Sequence, residues 1–173
     1  NPKLTKKVSD EGIAIKYIVL THGHADHISG VNEHLDDFPD AKVVVHTNEK
    51  PMLEDPRENQ SLMFGSAQTV KGDIFVNDGD ELEVGDLKLK FIFTPGHTPG
   101  GMCIYVESED VLFSGDTLFR QSIGRTDFPG GSFRDLADAV HTKLFILPDQ
   151  TVVLPGHMGQ TSIGFEKENN PFV

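Results

Sequence analysis

The 173-residue sequence predicts an α/β domain in which two sheets face one another and helices cover the outside. Three observations carry that prediction. Short apolar runs at Tyr17 to Leu20, Leu87 to Phe93, Met102 to Val106, Val111 to Phe113 and Thr151 to Leu154 read as strands. Stretches of helical period lie between them. The later runs are apolar on both faces, as in sheets covered on both sides. The length fits one domain, residues 1–173, with a substantial core.

Taken in order, residues 3 to 11 read as the end of a helix, with Leu4 and Val8 one turn apart and Gly12 able to supply a left-handed C-terminal cap. The strand from Tyr17 follows. After Asp26 the apolar residues Ile28, Val31, Leu35 and Phe38 recur at helical spacing, with Asp26 placed to cap that helix. Val43-Val44-Val45 is a short buried strand, and Asn48 can cap a short helix that Pro56 stops or restarts. Residues 55 to 72 lack firm periodicity and read as a loop with helical turns over the site. Glu81 to Val84 and Leu87 to Phe93 flank Gly85-Asp86, a hairpin signal, and Met102 to Val106 pairs with Val111 to Phe113 around Ser108 to Asp110. Ser132 with Asp135 resembles a capping box opening a helix whose apolar face is Phe133, Leu136, Ala137, Val140 and Leu144. Thr151 to Leu154 is a further strand, and Thr161 to Asn169 a last helix.

Charge narrows the function. With 15 basic and 27 acidic residues the net charge is −12, which argues against nucleic acid as a partner and suits a cation. One cysteine permits no internal disulfide, so a reducing cytoplasm is the expected compartment, and Cys103 reads as a small buried hydrophobe. No run reaches the length of a membrane span, and residues 1 to 10 lack the apolar core of a signal peptide. The chain begins at Asn1, so processing or truncation is expected.

The chemistry concentrates at Thr21-His22-Gly23-His24-Ala25-Asp26-His27. In an extended segment side chains at i, i+2 and i+4 share a side, so His22, His24 and Asp26 can converge as the strand runs out, while His27 opens a new direction. Three later strands repeat the device. Leu87 to Phe93 ends at Thr94-Pro95-Gly96-His97, Val111 to Phe113 at Ser114-Gly115-Asp116, and Thr151 to Leu154 at Pro155-Gly156-His157. Each ends in a small-residue turn and one metal-capable side chain. Five His and two Asp are too many for one tetrahedral zinc and suit two divalent metals sharing a carboxylate. His34 and His141 read as solvated. His46, ending the Val43 strand, can reach the pocket rim and joins the candidates for substrate contact.

The pattern His22-x-His24-x-Asp26-His27 followed by His97, Asp116 and His157 resembles the metallo-β-lactamase-fold hydrolase superfamily, whose fold is an αββα sandwich. Thr94-Pro95-Gly96-His97-Thr98-Pro99-Gly100, Ser114-Gly115-Asp116-Thr117-Leu118-Phe119 and Gly124-Arg125-Thr126-Asp127 resemble its glyoxalase II-like branch of hydroxyacylglutathione hydrolases. Family members begin with several strands before the helix leading to the His motif, so this chain is expected to be incomplete at its N-terminus. Glyoxalase II also carries a C-terminal helical extension that helps to bind glutathione, and this chain ends soon after His157. Lactamases with two zincs often have Cys where Asp116 stands, which lowers a β-lactam reading.

The resemblance implies that His22, His24 and His97 hold one metal and Asp26, His27 and His157 the other, with Asp116 bridging. Zinc is the leading identity, with iron or manganese as alternatives. Water between two such cations loses a proton near neutral pH and attacks an acyl carbonyl, while Asp26 orients it. A thioester suits the site because thiolate leaves readily. The expected activity is therefore thioesterase action on a small-molecule substrate. Arg125 either holds a substrate carboxylate or pairs with Asp127. Two alternatives stand beside this: a mononuclear-iron persulfide dioxygenase using His22, His97 and Asp116, and a non-catalytic metal-binding fragment.

Overall fold

The computed structural model describes residues 2–173, and its order of elements is the layered one expected. Helix α1 (Pro2–Asp10) ends at Gly12, whose φ of +62° closes the helix in the left-handed region as predicted. Strand β1 (Tyr17–Val19) is followed by α2 (Ala25–Ile28), α3 (Val31–Asp37) and β2 (Lys42–His46). A 3-10 turn at Thr47–Glu49 leads to α4 (Lys50–Glu54), and a second at Ser61–Phe64 lies in the long loop before β3 (Ile74–Val76). Then come β4 (Glu81–Val84), β5 (Leu87–Phe93), β6 (Met102–Val106), β7 (Val111–Gly115), β8 (Leu118–Phe119) and β9 (Ser122–Ile123). Helix α5 (Phe133–Ala139), β10 (Val152–Pro155), β11 (Thr161–Ser162) and α6 (Ile163–Asn169) complete the described chain.

Two sheets result. The smaller is parallel with order β1-β2-β3, and the larger is mixed with order β11-β10-β7-β6-β5-β4. Side-chain alternation then builds three apolar layers. Val44 and Val76 from the small sheet meet Phe91, Met102 and Ile104 from the large one, forming the core between them. The neighbours one residue away face outward. Val43 and Val45 pack with Ile28, Val31 and Leu53, while Ile92, Cys103 and Tyr105 pack with Val140, Leu144 and Ile163. The αββα arrangement thus follows from strands apolar at consecutive positions. No described helix is long and apolar enough to cross a membrane.

Several local expectations change. The helix predicted after Asp26 is two helices: a single turn ends at Ser29, and α3 restarts from Gly30. Asp26 lies inside the first turn rather than capping it, its carboxylate engaged with His157 instead of the backbone. Asn48 caps nothing, because the side chain of His46 accepts the Asn48 N–H and opens the turn itself. Strand β3 has no counterpart among the expected elements. Helix α5 continues into a π turn at Val140–Leu144; Leu136, Ala139, Val140 and Leu144 are buried, whereas Phe133, in the first turn, is 52% exposed.

The last difference separates two phenylalanines. Phe91→Ala removes a fully buried ring from between the sheets and is expected to cost about 3–5 kcal/mol of stability. Phe133→Ala should stay within about 0.5 kcal/mol of the parent, as for a surface site. Urea unfolding of the two variants checks both figures.

Candidate metal centre

Four strand ends supply the site. β1 runs out into Thr21 and His22, α2 carries Asp26 and His27, the turn after β5 carries His97, β7 leads to Asp116, and β10 to His157. All seven predicted donors come together, in overlapping trios: His22, His24 and His97; His22, His27 and Asp116; and Asp26, His27 and His157. Within each trio the donor atoms lie within 4.8 Å of one another. The i, i+2, i+4 argument holds for His22 and His24 but not for Asp26. The chain turns helical at Ala25, which sends Asp26 across to His27 and His157.

The spacing fits a cation. Bonds of about 2.0–2.1 Å in a tetrahedral zinc site imply a donor–donor edge of about 3.3 Å. Here His24 Nδ1 lies 2.9 Å from His97 Nε2, and Asp116 Oδ1 lies 3.4 Å from His27 Nε2. Asp116 Oδ2 lies 3.6 Å from His97 Nε2 and 3.5 Å from His157 Nε2, and Asp26 Oδ2 lies 3.0 Å from His157 Nε2. Two buried atoms facing this centre, Nε2 of His22 and Oδ1 of Asp116, make no hydrogen bond. Buried polar groups are normally satisfied, and a divalent ion satisfies these. Asp116 reaches both halves of the cluster, toward His27 through one oxygen and toward His97 and His157 through the other.

Outer contacts fix the rings. His97 Nδ1 donates to the Arg125 carbonyl at 2.8 Å, and since a carbonyl only accepts, Nε2 is left with its lone pair toward the centre. His22 Nδ1 meets the Thr21 hydroxyl at 3.2 Å, and the outer nitrogen of His24 meets the Gln60 amide at 3.5 Å. Gly156 is needed here, because a Cβ would fall 2.4 Å from Asp116 Oδ1 and 2.7 Å from the His27 ring.

Burial and crowding set the charge states. His22 is held well below the ordinary imidazole range by burial and by the neighbouring imidazoles, His24 is lowered to about 4 by burial and His97, and His97 itself is lowered by burial. All three are neutral near pH 7, the form that can bind a cation. For His27 burial works downward, but the Asp116 and Asp26 carboxylates more than offset it. The Asp116 carboxyl is held low by the surrounding rings despite its burial.

A cleft of about 420 Å³ opens over the centre. Asp26, His157 and Asp116 form its polar floor, Phe64, Phe119, Ile123 and Phe128 its apolar walls, with Gln60 and Arg125 at the edge. The Arg125 guanidinium is held by both oxygens of Asp127 at 2.7 Å and lies 3.8 Å from the Phe128 ring centroid. His46 does not line the cleft. Its ring is buried and stacked on Phe93 at 4.2 Å, so the strand that ends at His46 directs it into the interior rather than the rim. Sequence reasoning passed over Gln60 and Phe128: Gln60 lies in the loop without periodicity, where its φ of +66° marks a constrained position invisible in composition, and Phe128 directly follows Gly124-Arg125-Thr126-Asp127.

Comparison with known proteins agrees with this geometry. Residues 3–157 match the family model described as the metallo-beta-lactamase superfamily. The chain is 40% identical to the "Probable metallo-hydrolase YqgX" of Bacillus subtilis (strain 168) over 173 residues, covering 99% of this chain and 82% of that protein. It is 33% identical to the "Hydroxyacylglutathione hydrolase GloC" of Haemophilus influenzae, covering 99% of this chain and 82% of that one. Among solved structures it superposes on the BLEG-1 B3 metallo-beta-lactamase with a TM-score of 0.91 at 40% identity, covering 99% of this chain and 83% of that chain. A layered fold with its donors gathered at one sheet edge, matched along nearly its whole length by such relatives, places this chain in the metallo-beta-lactamase superfamily of metal-dependent hydrolases.

Proposed function

We propose that the protein hydrolyses acyl thioesters of low-molecular-weight thiols at a dinuclear centre. One ion would be held by His22, His24 and His97, the other by Asp26, His27 and His157, with Asp116 between them. The observation that carries this reading is Asp116, one oxygen facing His27 and the other facing His97 and His157. A mononuclear centre has no use for the second trio. Zinc is the first ion to test, and the mixed imidazole and carboxylate set also accepts iron or manganese.

Divalent ions held by these residues would supply Lewis acidity, lowering the pKa of a water from about 15.7 towards about 7 and drawing charge from a carbonyl. The chain's own groups do the rest. Asp26 is half exposed at the cleft floor, where its free oxygen can orient a water and take up its proton, while His157 fixes the carboxylate from the other side. Phe64, Phe119 and Phe128 offer apolar surface beside the place a substrate would occupy. A thiolate departs without a proton donor, since a free thiol has a pKa of about 8.5. The likeness to GloC supports the thioester in particular.

Metal-loaded protein under anaerobic conditions should release thiol from S-lactoylglutathione or from S-lactoyl-N-acetylcysteamine, followed with a thiol-reactive chromophore. Cleavage of a β-lactam with no thiol release, or oxygen uptake with a thiol persulfide instead, would sink the proposal.

Asp116→Ala should leave the chain with fewer bound ions and lower hydrolysis by more than about 100-fold, because the ligands around it lose their common counter-charge. His34→Ala, in α3 and outside every donor trio, should change neither. Metal counts per chain and initial rates decide the point.

A further inference from the structure

Beyond the ligands themselves, one unassigned carboxylate lies at the junction of two ligand loops. Glu49 is fully buried. Its Oε1 accepts the Gly23 N–H at 2.7 Å, and its Oε2 accepts the Gly100 N–H at 2.7 Å and the Thr98 hydroxyl at 3.1 Å. Gly23 stands between His22 and His24, and Thr98 and Gly100 follow His97. One side chain that is not a ligand therefore ties together the two loops that carry a complete imidazole trio.

The placement is built from several directions. β2 ends in His46, which stacks on Phe93 at the end of β5 and accepts the Asn48 N–H, setting the turn that turns Glu49 inward. Gly100 leaves the carboxylate its space, since a Cβ there would stand 2.4 Å from the Glu49 nitrogen and 2.5 Å from Oε2. Backbone N–H groups cannot accept, so both carboxylate oxygens face donors, and only an unprotonated carboxylate satisfies them all.

We propose that Glu49 is a positioning residue of the metal centre, whose carboxylate fixes the distance between the His22–His24 loop and the His97 loop so that three imidazoles stand at ligand spacing before an ion arrives. The proposal rests on the reading of those three imidazoles as metal ligands. Its physical content is preorganisation: loops already held apart correctly lose little freedom when the ion binds. A second fully buried carboxylate provides a matched control. Glu166 also takes three donors, from the Gln121 N–H, the Asn170 amide and the Thr161 hydroxyl, but touches neither ligand loop.

The test compares Glu49→Gln with Glu166→Gln in the full chain, measuring zinc affinity by chelator competition and the visible spectrum of the cobalt-substituted protein. Glutamine accepts through only one of its two terminal atoms, so in Glu49→Gln one loop stays held while the other meets an amide donor. Zinc binding should weaken about 10- to 100-fold and the cobalt spectrum should change. Glu166→Gln should lose thermal stability yet bind zinc within about twofold of the parent, as expected of a carboxylate bonded to neither the His22–His24 loop nor the His97 loop. Parental zinc affinity and an unchanged spectrum in Glu49→Gln would overturn the proposal, as would an equal loss of affinity in Glu166→Gln. Should Glu49→Gln fail to fold, Thr98→Val removes one bond of the three: a several-fold loss of zinc affinity supports the role, and no loss overturns it. A parent protein that binds no zinc, iron or manganese would instead overturn the ligand assignment itself.

Discussion

Five imidazoles and two carboxylates from distant parts of the chain are packed into one small volume, with Asp26 and His157 in contact across 131 residues of sequence. Crowding of this kind is unfavourable on its own. Desolvation and mutual repulsion already hold the inner rings unprotonated, and two buried polar atoms lack partners. Only a rigid frame can keep such groups together between binding events. The two-sheet core is that frame: β5, β7 and β10 are anchored through the fully buried Phe91, Leu112 and Val153, and β1 through its pairing with the buried strand β2.

The strands that matter for this were legible because each carries enough apolar residues to fill a layer on both faces. Val43 to Val45 and Met102 to Val106 are examples, their consecutive side chains serving different cores. The donors were legible for a related reason. Each follows a strand through a small-residue turn, and that regularity survives without knowledge of the pairing. Less visible was anything set by tertiary partners. β3 is three residues long and gains its identity only by pairing with β2. The helix break at Gly30 reflects local backbone geometry that the spacing of Ile28, Val31 and Leu35 does not report.

Polar residues were misread in a consistent way. As caps, Asp26 and Asn48 were assigned by the chain-local roles typical of their types, and His46 was assigned to the pocket rim by its place at a strand end. In the fold, Asp26 engages His157, and His46 takes the capping place expected of Asn48 because stacking on Phe93 fixes its ring there. Glu49 carried no local signal at all. An acidic residue in Thr47-Asn48-Glu49-Lys50 looks like an ordinary solvated position, and its burial follows from three donors that lie 26, 49 and 51 residues away.

The contact between His97 and Arg125 separates two demands that often compete. The ring is oriented by a main-chain oxygen, which every amino acid provides, while the guanidinium extends toward the cleft and lies against Phe128. Replacement of the residue at 125 therefore alters the mouth of the cleft without withdrawing the group that steadies the ligand. Change in the cleft along this segment is thereby uncoupled from the orientation of the His97 ring, because the two depend on different atoms of one residue.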